Sequence, residues 1–285
     1  MERLAAHRSF FASLITANAG VPVQEGRLAA AFAATPRERF VGSGPWKVPT
    51  AIGYIETPSA DPALLYQDIT IALKQEAAIN NGQPTLHAVC LAALQPREGE
   101  TVLHVGAGTG YYTAVLARLV GAAGAVFAYE VEPDLAQRAA GNLADLPQVI
   151  VHDRSGAQGP LPSCDLIYVN AGATAPLDVW LDALRPGGRL LFPLMPAQGP
   201  GGMLLVTHTP PDRSPDRWAA RFVCRALFIP GIGARDEETA QKLSSAFRRE
   251  DVVRSLHRGT PPDESCWCSG RGWWLSTSPL AAPGD

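Results

Sequence analysis

Residues 101–130, TVLHVGAGTGYYTAVLARLVGAAGAVFAYE, decide the fold of this chain. The stretch opens on a short apolar run, Val102 to Val105, bounded by a turn signal, as a buried strand requires. Gly106, Gly108 and Gly110 follow at alternate positions and mark a tight turn. Thr113 to Val120 is an apolar helical run, and a second apolar strand, Ala125 to Tyr129, ends on Glu130. Strand, glycine turn, helix, strand and acid, in that order, open a nucleotide-binding α/β sheet.

The glycine spacing narrows the ligand. A dinucleotide-binding turn reads G-x-G-x-x-G and needs a small residue at position 111, where this chain has Tyr111. A P-loop needs Gly-Lys-Ser/Thr after the turn, and the sequence has none there. The G-x-G-x-G form resembles that of class I S-adenosyl-L-methionine (SAM) methyltransferases, in which backbone must approach the amino-acid and ribose parts of the cofactor closely. Glu130 stands where a carboxylate at the end of the second strand accepts hydrogen bonds from two ribose hydroxyls. The competing reading is a glycine-rich turn in some other α/β protein; the flanking strands and Glu130 favour the cofactor.

Residues 102–121, VLHVGAGTGYYTAVLARLVG, resemble the first motif of the protein-L-isoaspartate O-methyltransferase family. Other segments fall in that family's order: TPRERFV at 35–41, YQD at 66–68, NNGQPTLHA at 80–88, VHDRSG at 151–156, CDLIYVNAGA at 164–173 and LRPGGRLLFPL at 184–194. The resemblance covers roughly residues 30–200 and leaves out the C-terminal part. It implies an α/β, Rossmann-like class I SAM-dependent methyltransferase, a three-layer sandwich with an N-terminal helical cap and a C-terminal extension. The expected division is 1–96 for the cap and substrate-side loop, 97–231 for the SAM-binding core, and 232–285 for a C-terminal helix and Trp-rich hairpin.

The resemblance also implies site residues. SAM, with S-adenosyl-L-homocysteine as product, is expected on His104, Gly106, Ala107, Gly108, Thr109, Gly110 and Tyr111 of the turn. Glu130 and Val131 after the second strand, Asp153 and Arg154 after the third, and Asn170 after the fourth complete the cofactor contacts. Asn80, Asn81, Gln83 and Asn170 are the expected acceptor-side residues. Two positions depart from the family's pattern. Aligning on Gln83-Pro84 puts Gly82 where the family's "ISQP" carries a serine, so that hydroxyl is absent and the neighbouring amides are the available donors. His104 stands on strand one where the family carries an acid, and an imidazole cannot attract the cofactor's ammonium group as a carboxylate does. Weaker SAM binding, or a compensating partner, is expected. At the adenine-facing loop Asp153 aligns with the family's aspartate, but Arg154 replaces a usual glycine. The Asn170 amide either holds a substrate carboxylate or ties down its loop.

Composition bounds the rest. With 285 residues, 46% hydrophobic and 18% charged, the chain can bury a full core and reads as globular, one large domain or one and a half. A net charge of −3 offers no broad basic field to nucleic acid or to an anionic membrane. The start, MERLAAHRSFFASLITANAG, is interrupted by Glu2, Arg3, His7 and Arg8 and does not read as a signal peptide, and no run reaches the length of a membrane span. Five cysteines without C-x-x-C pairs or histidines at ligand spacing read as reduced thiols, with no metal site and a cytoplasmic location.

Along the chain, residues 2–18 read as an amphipathic helix with Leu4, Phe11, Leu14 and Ile15 on one face, and 25–34 as a second helix. Residues 40–66, rich in Gly and Pro, read as an ordered loop pinned by Trp46, Tyr54 and Tyr66. Further helices are expected at 84–94, 132–143 and 176–184, with strands at 149–151, 165–170, 189–194, 203–208 and 221–228. Asp236 is expected to cap a helix whose other end carries Arg248 and Arg249. The tail with Trp267, Trp273 and Trp274 reads as a hairpin packed on the core, with a substrate lid or homodimer contact as the alternative. The last residues, PLAAPGD, read as frayed.

Methyl transfer to a carboxylate needs no general base, because the acceptor is already ionised near pH 7. An amine or phenol acceptor would call for one, and His87 and His104 are the nearest candidates. The expected acceptor is an isoaspartyl carboxylate in protein or peptide. The alternatives are a peptide natural product or small-molecule carboxylate, and a non-catalytic SAM-binding module.

Overall fold

The computed structural model describes residues 2–22, 26–208 and 216–280. In chain order the helices and strands begin with α1 Glu2–Asn18, α2 Arg27–Ala33, β1 Lys47–Thr50, β2 Gly53–Glu56, β3 Ala72–Lys74, β4 Ile79–Asn80 and α3 Pro84–Leu94. The glycine-turn region supplies β5 Thr101–Val105, α4 Tyr111–Val120 and β6 Ala125–Glu130, followed by α5 Pro133–Asn142 and β7 Val149–Asp153. Then come β8 Cys164–Val169, α6 Asp178–Ala183, β9 Leu184–Leu194, β10 Gly201–Thr207, β11 Arg217–Ala226, α7 Glu237–Ala246, β12 Ser255–Arg258, β13 Cys266–Gly270 and β14 Trp273–Ser276. These fold as two compact units, Met1–Glu100 with Ala107–Arg154, and Thr101–Gly106 with Ser155–Asp285.

In the first unit β6 and β7 pair in parallel, with Glu130 opposite Asp153 at their carboxyl ends. Helix α1 buries Phe11 and Ile15, but Leu14 is 45% exposed, against the expected face. At 100° per residue Leu14 lies on the rim of the stripe that Phe11 and Ile15 define, and Ala12 and Thr16 take the buried positions instead. Residues 40–66 are more regular than expected. β1 and β2 form an antiparallel ribbon with Pro49 opposite Tyr54, a place where proline is tolerated because the strand has a free edge. Trp46 is buried and Tyr66 meets Phe11 edge-on at 5.7 Å, as the pinned-loop reading expects, whereas Tyr54 remains 37% exposed. Arg37 is fully buried and donates to the carbonyls of Leu65, Gln67 and Ile69, which fixes the segment that leads into β3.

In the second unit β5, β8 and β9 run in parallel, and β9, β10 and β11 continue antiparallel in chain order. The apolar composition of β5 and β8 matches their burial on both faces. Helix α6 is shorter than expected and β9 longer, because Arg185–Gly188 run on in the strand. A register shift between Cys164 and Leu166 of β8 accommodates them. The C-terminal strands extend the same sheet: β12 pairs with β11, β14 with β12, and β13 with β14. The hairpin expected at the tail is present, with Trp267, Trp273 and Trp274 all buried, and Trp267 edge-on to Phe222 and Phe247. Strand β12 was not legible as a strand in the sequence. Asp236 caps α7, its Oδ2 accepting from the Thr239 amide at 2.7 Å. The helix ends before Arg248 and Arg249, and Arg249 donates to the Trp267 carbonyl instead. The expected start of the second helix at 25 and the last five residues of the tail lie outside the described residues. Among the described residues no helix is long and apolar enough to cross a membrane.

Candidate active site

The first unit carries the glycine turn from Ala107 onward, together with Glu130, Asp153 and the Asn80–Gln83 segment. Glu130 is 7% exposed at the end of β6, and its carboxylate gathers three backbone donors. Gly108 N–H donates to Oε2 at 2.6 Å, and the Val131 and Glu132 amides donate to Oε1 at 2.9 and 3.0 Å. Burial pushes the carboxyl pKa up from its ordinary value, and the three amides act against that rise. The turn itself holds left-handed backbone at Gly106, Gly108 and Gly110, with φ of 76°, 56° and 95°, which a side chain rarely adopts. Thr109 is buried; its hydroxyl donates to the Phe40 carbonyl at 2.6 Å, and its own carbonyl accepts from Asn142 at 2.9 Å. Tyr111 is buried beneath Phe40 at the head of α4, so Thr109 and Tyr111 brace the turn from behind. Asp153 is exposed at the end of β7, and the Arg154 guanidinium lies 4.8 Å from the centre of the Tyr129 ring.

The β3–β4 ribbon lies against this turn. The Leu73 Cδ1 comes within 3.3 Å of where a Gly108 side chain would begin. Lys74 pairs with Glu132 and, at 3.1 Å, with Asp134; those partners raise its pKa to about 12. The segment after β4 is tied at each residue. Asn80 is exposed, and its Oδ1 accepts from the Gly82 amide at 2.9 Å. Asn81 is buried, and its Oδ1 accepts from the Ile71 amide at 2.7 Å, so it serves the ribbon. Gln83 donates from Nε2 to Asp68 at 3.0 Å, while the other Asp68 oxygen accepts from the Thr85 amide at 2.8 Å in the first turn of α3. Asp68, the acid of the YQD segment, carries no expected role in the sequence, yet it ties Gln83 to the head of α3. Gly82 has φ of 72°, and its carbonyl accepts from the Tyr112 hydroxyl at 3.2 Å. The His87 ring is stacked on Tyr112 at 3.5 Å between centroids and fills the space that a side chain at 82 would enter.

The second unit carries His104, Gly106 and Asn170. His104 is fully buried, and desolvation lowers its pKa to about 3, so the ring is neutral near pH 7. Asn170 Nδ2 and His104 Nε2 are 2.7 Å apart; with the amide donating, the imidazole proton resides on Nδ1. Stability should report this burial. As pH falls through the ordinary histidine value of 6.5 the unfolded chain takes up a proton that the folded chain refuses until about pH 3. The contribution is therefore complete above pH 6.5 and is lost progressively toward pH 3, to a limit of about 5 kcal/mol. Replacing His104 by Gln, which does not titrate, is expected to flatten the acid limb of the unfolding midpoint against pH. An unchanged slope would contradict the assignment.

Among the described residues no cluster of three or more His, Cys, Asp or Glu is placed to hold a metal. The family model for protein-L-isoaspartate(D-aspartate) O-methyltransferase (PCMT) matches residues 11–210. Protein-L-isoaspartate O-methyltransferase 2 of Anaeromyxobacter sp. (strain Fw109-5) is 34% identical over 201 residues, 68% of this chain and 72% of that protein. The Aeropyrum pernix protein-L-isoaspartate O-methyltransferase is 31% identical over 217 residues, 74% of each chain. A solved structure of a protein-L-isoaspartate O-methyltransferase superposes with a TM-score of 0.64 at 24% identity, over 86% of this chain and 72% of that one. One from Plasmodium falciparum, described as such an enzyme in complex with S-adenosyl-L-homocysteine, gives 0.57 at 16% identity, over 76% and 98%.

Fold and turn thus define a Rossmann-like class I SAM-dependent methyltransferase. Within that class, the chain belongs to the protein-L-isoaspartate(D-aspartate) O-methyltransferase family. The residues fit the family's cofactor. In the first unit a buried carboxylate at the end of β6 accepts from the amide of Gly108; in the second, the Asn170 Oδ1 is a buried acceptor with no hydrogen-bond partner among the described residues.

Proposed function

We propose that this chain is a SAM-dependent O-methyltransferase that esterifies a carboxylate, with an L-isoaspartyl residue of a protein or peptide as acceptor. The observation that carries this reading is the Glu130 carboxylate gathering the glycine turn in a chain of that family. When bound, SAM supplies a methyl group on a sulfonium, which an ionised carboxylate oxygen takes without a base. Glu130 holds the ribose hydroxyls, and the glycine turn admits the cofactor's backbone-contacting parts. Asp153 accepts from the adenine amine, with Arg154 beside it. Asn80, an exposed residue with a side-chain amide donor, orients the acceptor carboxylate; Asn81 and Gln83, tied to Ile71 and Asp68, hold the segment in place. These groups contribute by positioning and by excluding water.

The neutral state of His104 supports a carboxylate over an amine or phenol, because an imidazole with a pKa of about 3 is a poor base near pH 7. The Gly82 departure supports a second reading in which the carboxylate belongs to a peptide natural product or a small acid. Five free cysteines support a reducing, cytoplasmic location. The test is mass spectrometry of an isoaspartyl peptide incubated with enzyme and SAM. A methyl ester that then loses methanol to form the succinimide is expected. An unmodified peptide, with the cofactor shown to bind, would move the acceptor to the second reading.

A further inference from the structure

Strand β5 lacks an acid at 104, and the structure places an unusual acceptor directly after the neighbouring strand. Asn170 follows β8, its backbone amide donating to the Val105 carbonyl at 2.8 Å. Its carbonyl carbon and oxygen lie 3.3 Å from where a side chain on Gly106 would begin. The side-chain nitrogen is engaged by His104 Nε2 at 2.7 Å, and the ring of His104 is held parallel to that of Tyr168, 5.6 Å away. With its nitrogen bonded to the imidazole, the amide's orientation is set and its oxygen is left as the acceptor for a ligand donor. That oxygen is buried and has no partner among the described residues. A buried, unmatched acceptor is costly unless a ligand donor completes it.

We propose that Asn170 Oδ1 accepts a hydrogen bond from the protonated amine at the methionine end of the cofactor, with His104 as the positioning residue that fixes the amide's orientation. The pair is a neutral acceptor standing in for a carboxylate. It rests on the cofactor reading above. A neutral imidazole with its proton on Nδ1 offers Nε2 as an acceptor, which matches the amide nitrogen that faces it. Attraction to the amine is then dipolar and weaker than an ion pair, though stronger than an ordinary neutral hydrogen bond.

The test is calorimetric and needs no turnover. S-adenosyl-L-homocysteine, its deaminated analogue and 5′-methylthioadenosine, which lacks the amino-acid end, are titrated into the wild type, Asn170→Ala and Asn170→Asp. In the wild type, removing the amine is expected to weaken binding by about tenfold or more, the scale of a hydrogen bond to a charged group. Asn170→Ala should lose S-adenosyl-L-homocysteine affinity by a similar factor and cease to distinguish it from the deaminated analogue. Its unchanged affinity for 5′-methylthioadenosine would show an intact fold. Asn170→Asp keeps an oxygen there and should retain the discrimination. Equal wild-type affinity with and without the amine, or full discrimination in Asn170→Ala, would overturn the proposal while leaving the cofactor reading intact. Failure of all three compounds to bind the wild type would overturn both.

Discussion

Gly82→Ser is expected to destabilise the protein by about 3 kcal/mol and to add no methyl transfer, although it places a hydroxyl where the family carries one. Two costs coincide. Gly82 has φ of 72°, a conformation that costs a side-chain-bearing residue strain. A Cβ there would stand 2.1 Å from His87 Nε2. The imidazole cannot swing aside freely, because it is 2% exposed and stacked on Tyr112. Tyr112 is in turn held by its hydrogen bond to the Gly82 carbonyl. The check is a double-mutant cycle in urea. The loss in the Gly82→Ser, His87→Ala pair should be smaller than the sum of the single losses, because the second change vacates the space the first requires. Strict additivity would show that His87 is not the obstacle.

Glu130→Ala should reduce S-adenosyl-L-homocysteine affinity by at least about 100-fold. Two charge-assisted hydrogen bonds to ribose hydroxyls, each about 1.5–3 kcal/mol, disappear with the carboxylate. The amides of Gly108, Val131 and Glu132 also lose their acceptor, so the turn that receives the cofactor relaxes. Glu130→Gln retains one oxygen acceptor and should fall between Ala and wild type. Titration calorimetry reads both variants. Affinity within a few-fold of wild type in Glu130→Ala would remove the carboxylate from the cofactor's contacts.

The parts of the molecule legible in sequence are those whose partners are close along the chain. The apolar run of β5, the alternating glycines and the apolar run to Glu130 carry their geometry locally, since a tight turn demands glycine and a buried strand demands continuous apolar residues. Asp236 as a cap was legible for the same reason, three residues from the amide it accepts. The acceptor-side segment was legible only as a list of polar residues. Which amides are tied back depends on Ile71 and Asp68, ten and fifteen positions away from Asn81 and Gln83. No periodicity encodes such ties. The β1–β2 ribbon was hidden by its own Pro49 and Gly53, which read as loop until an unpaired strand edge makes proline tolerable. His87 appeared in sequence as a candidate base; its role of occupying the space beside Gly82 follows from the stack on Tyr112, a residue of another helix. The expectation of a compensating partner for His104 was legible, but Asn170 as that partner rests on a buried, unpartnered oxygen that exists only in the folded chain.

The most direct test of the central claim is transfer from methyl-labelled SAM to two matched peptides, one carrying isoaspartate and the other ordinary aspartate. Base-labile label on the isoaspartyl peptide alone is the predicted result, obtained with glycine and not serine at position 82. Equal labelling of both, or no label on either under conditions where SAM binding is demonstrated, would contradict it.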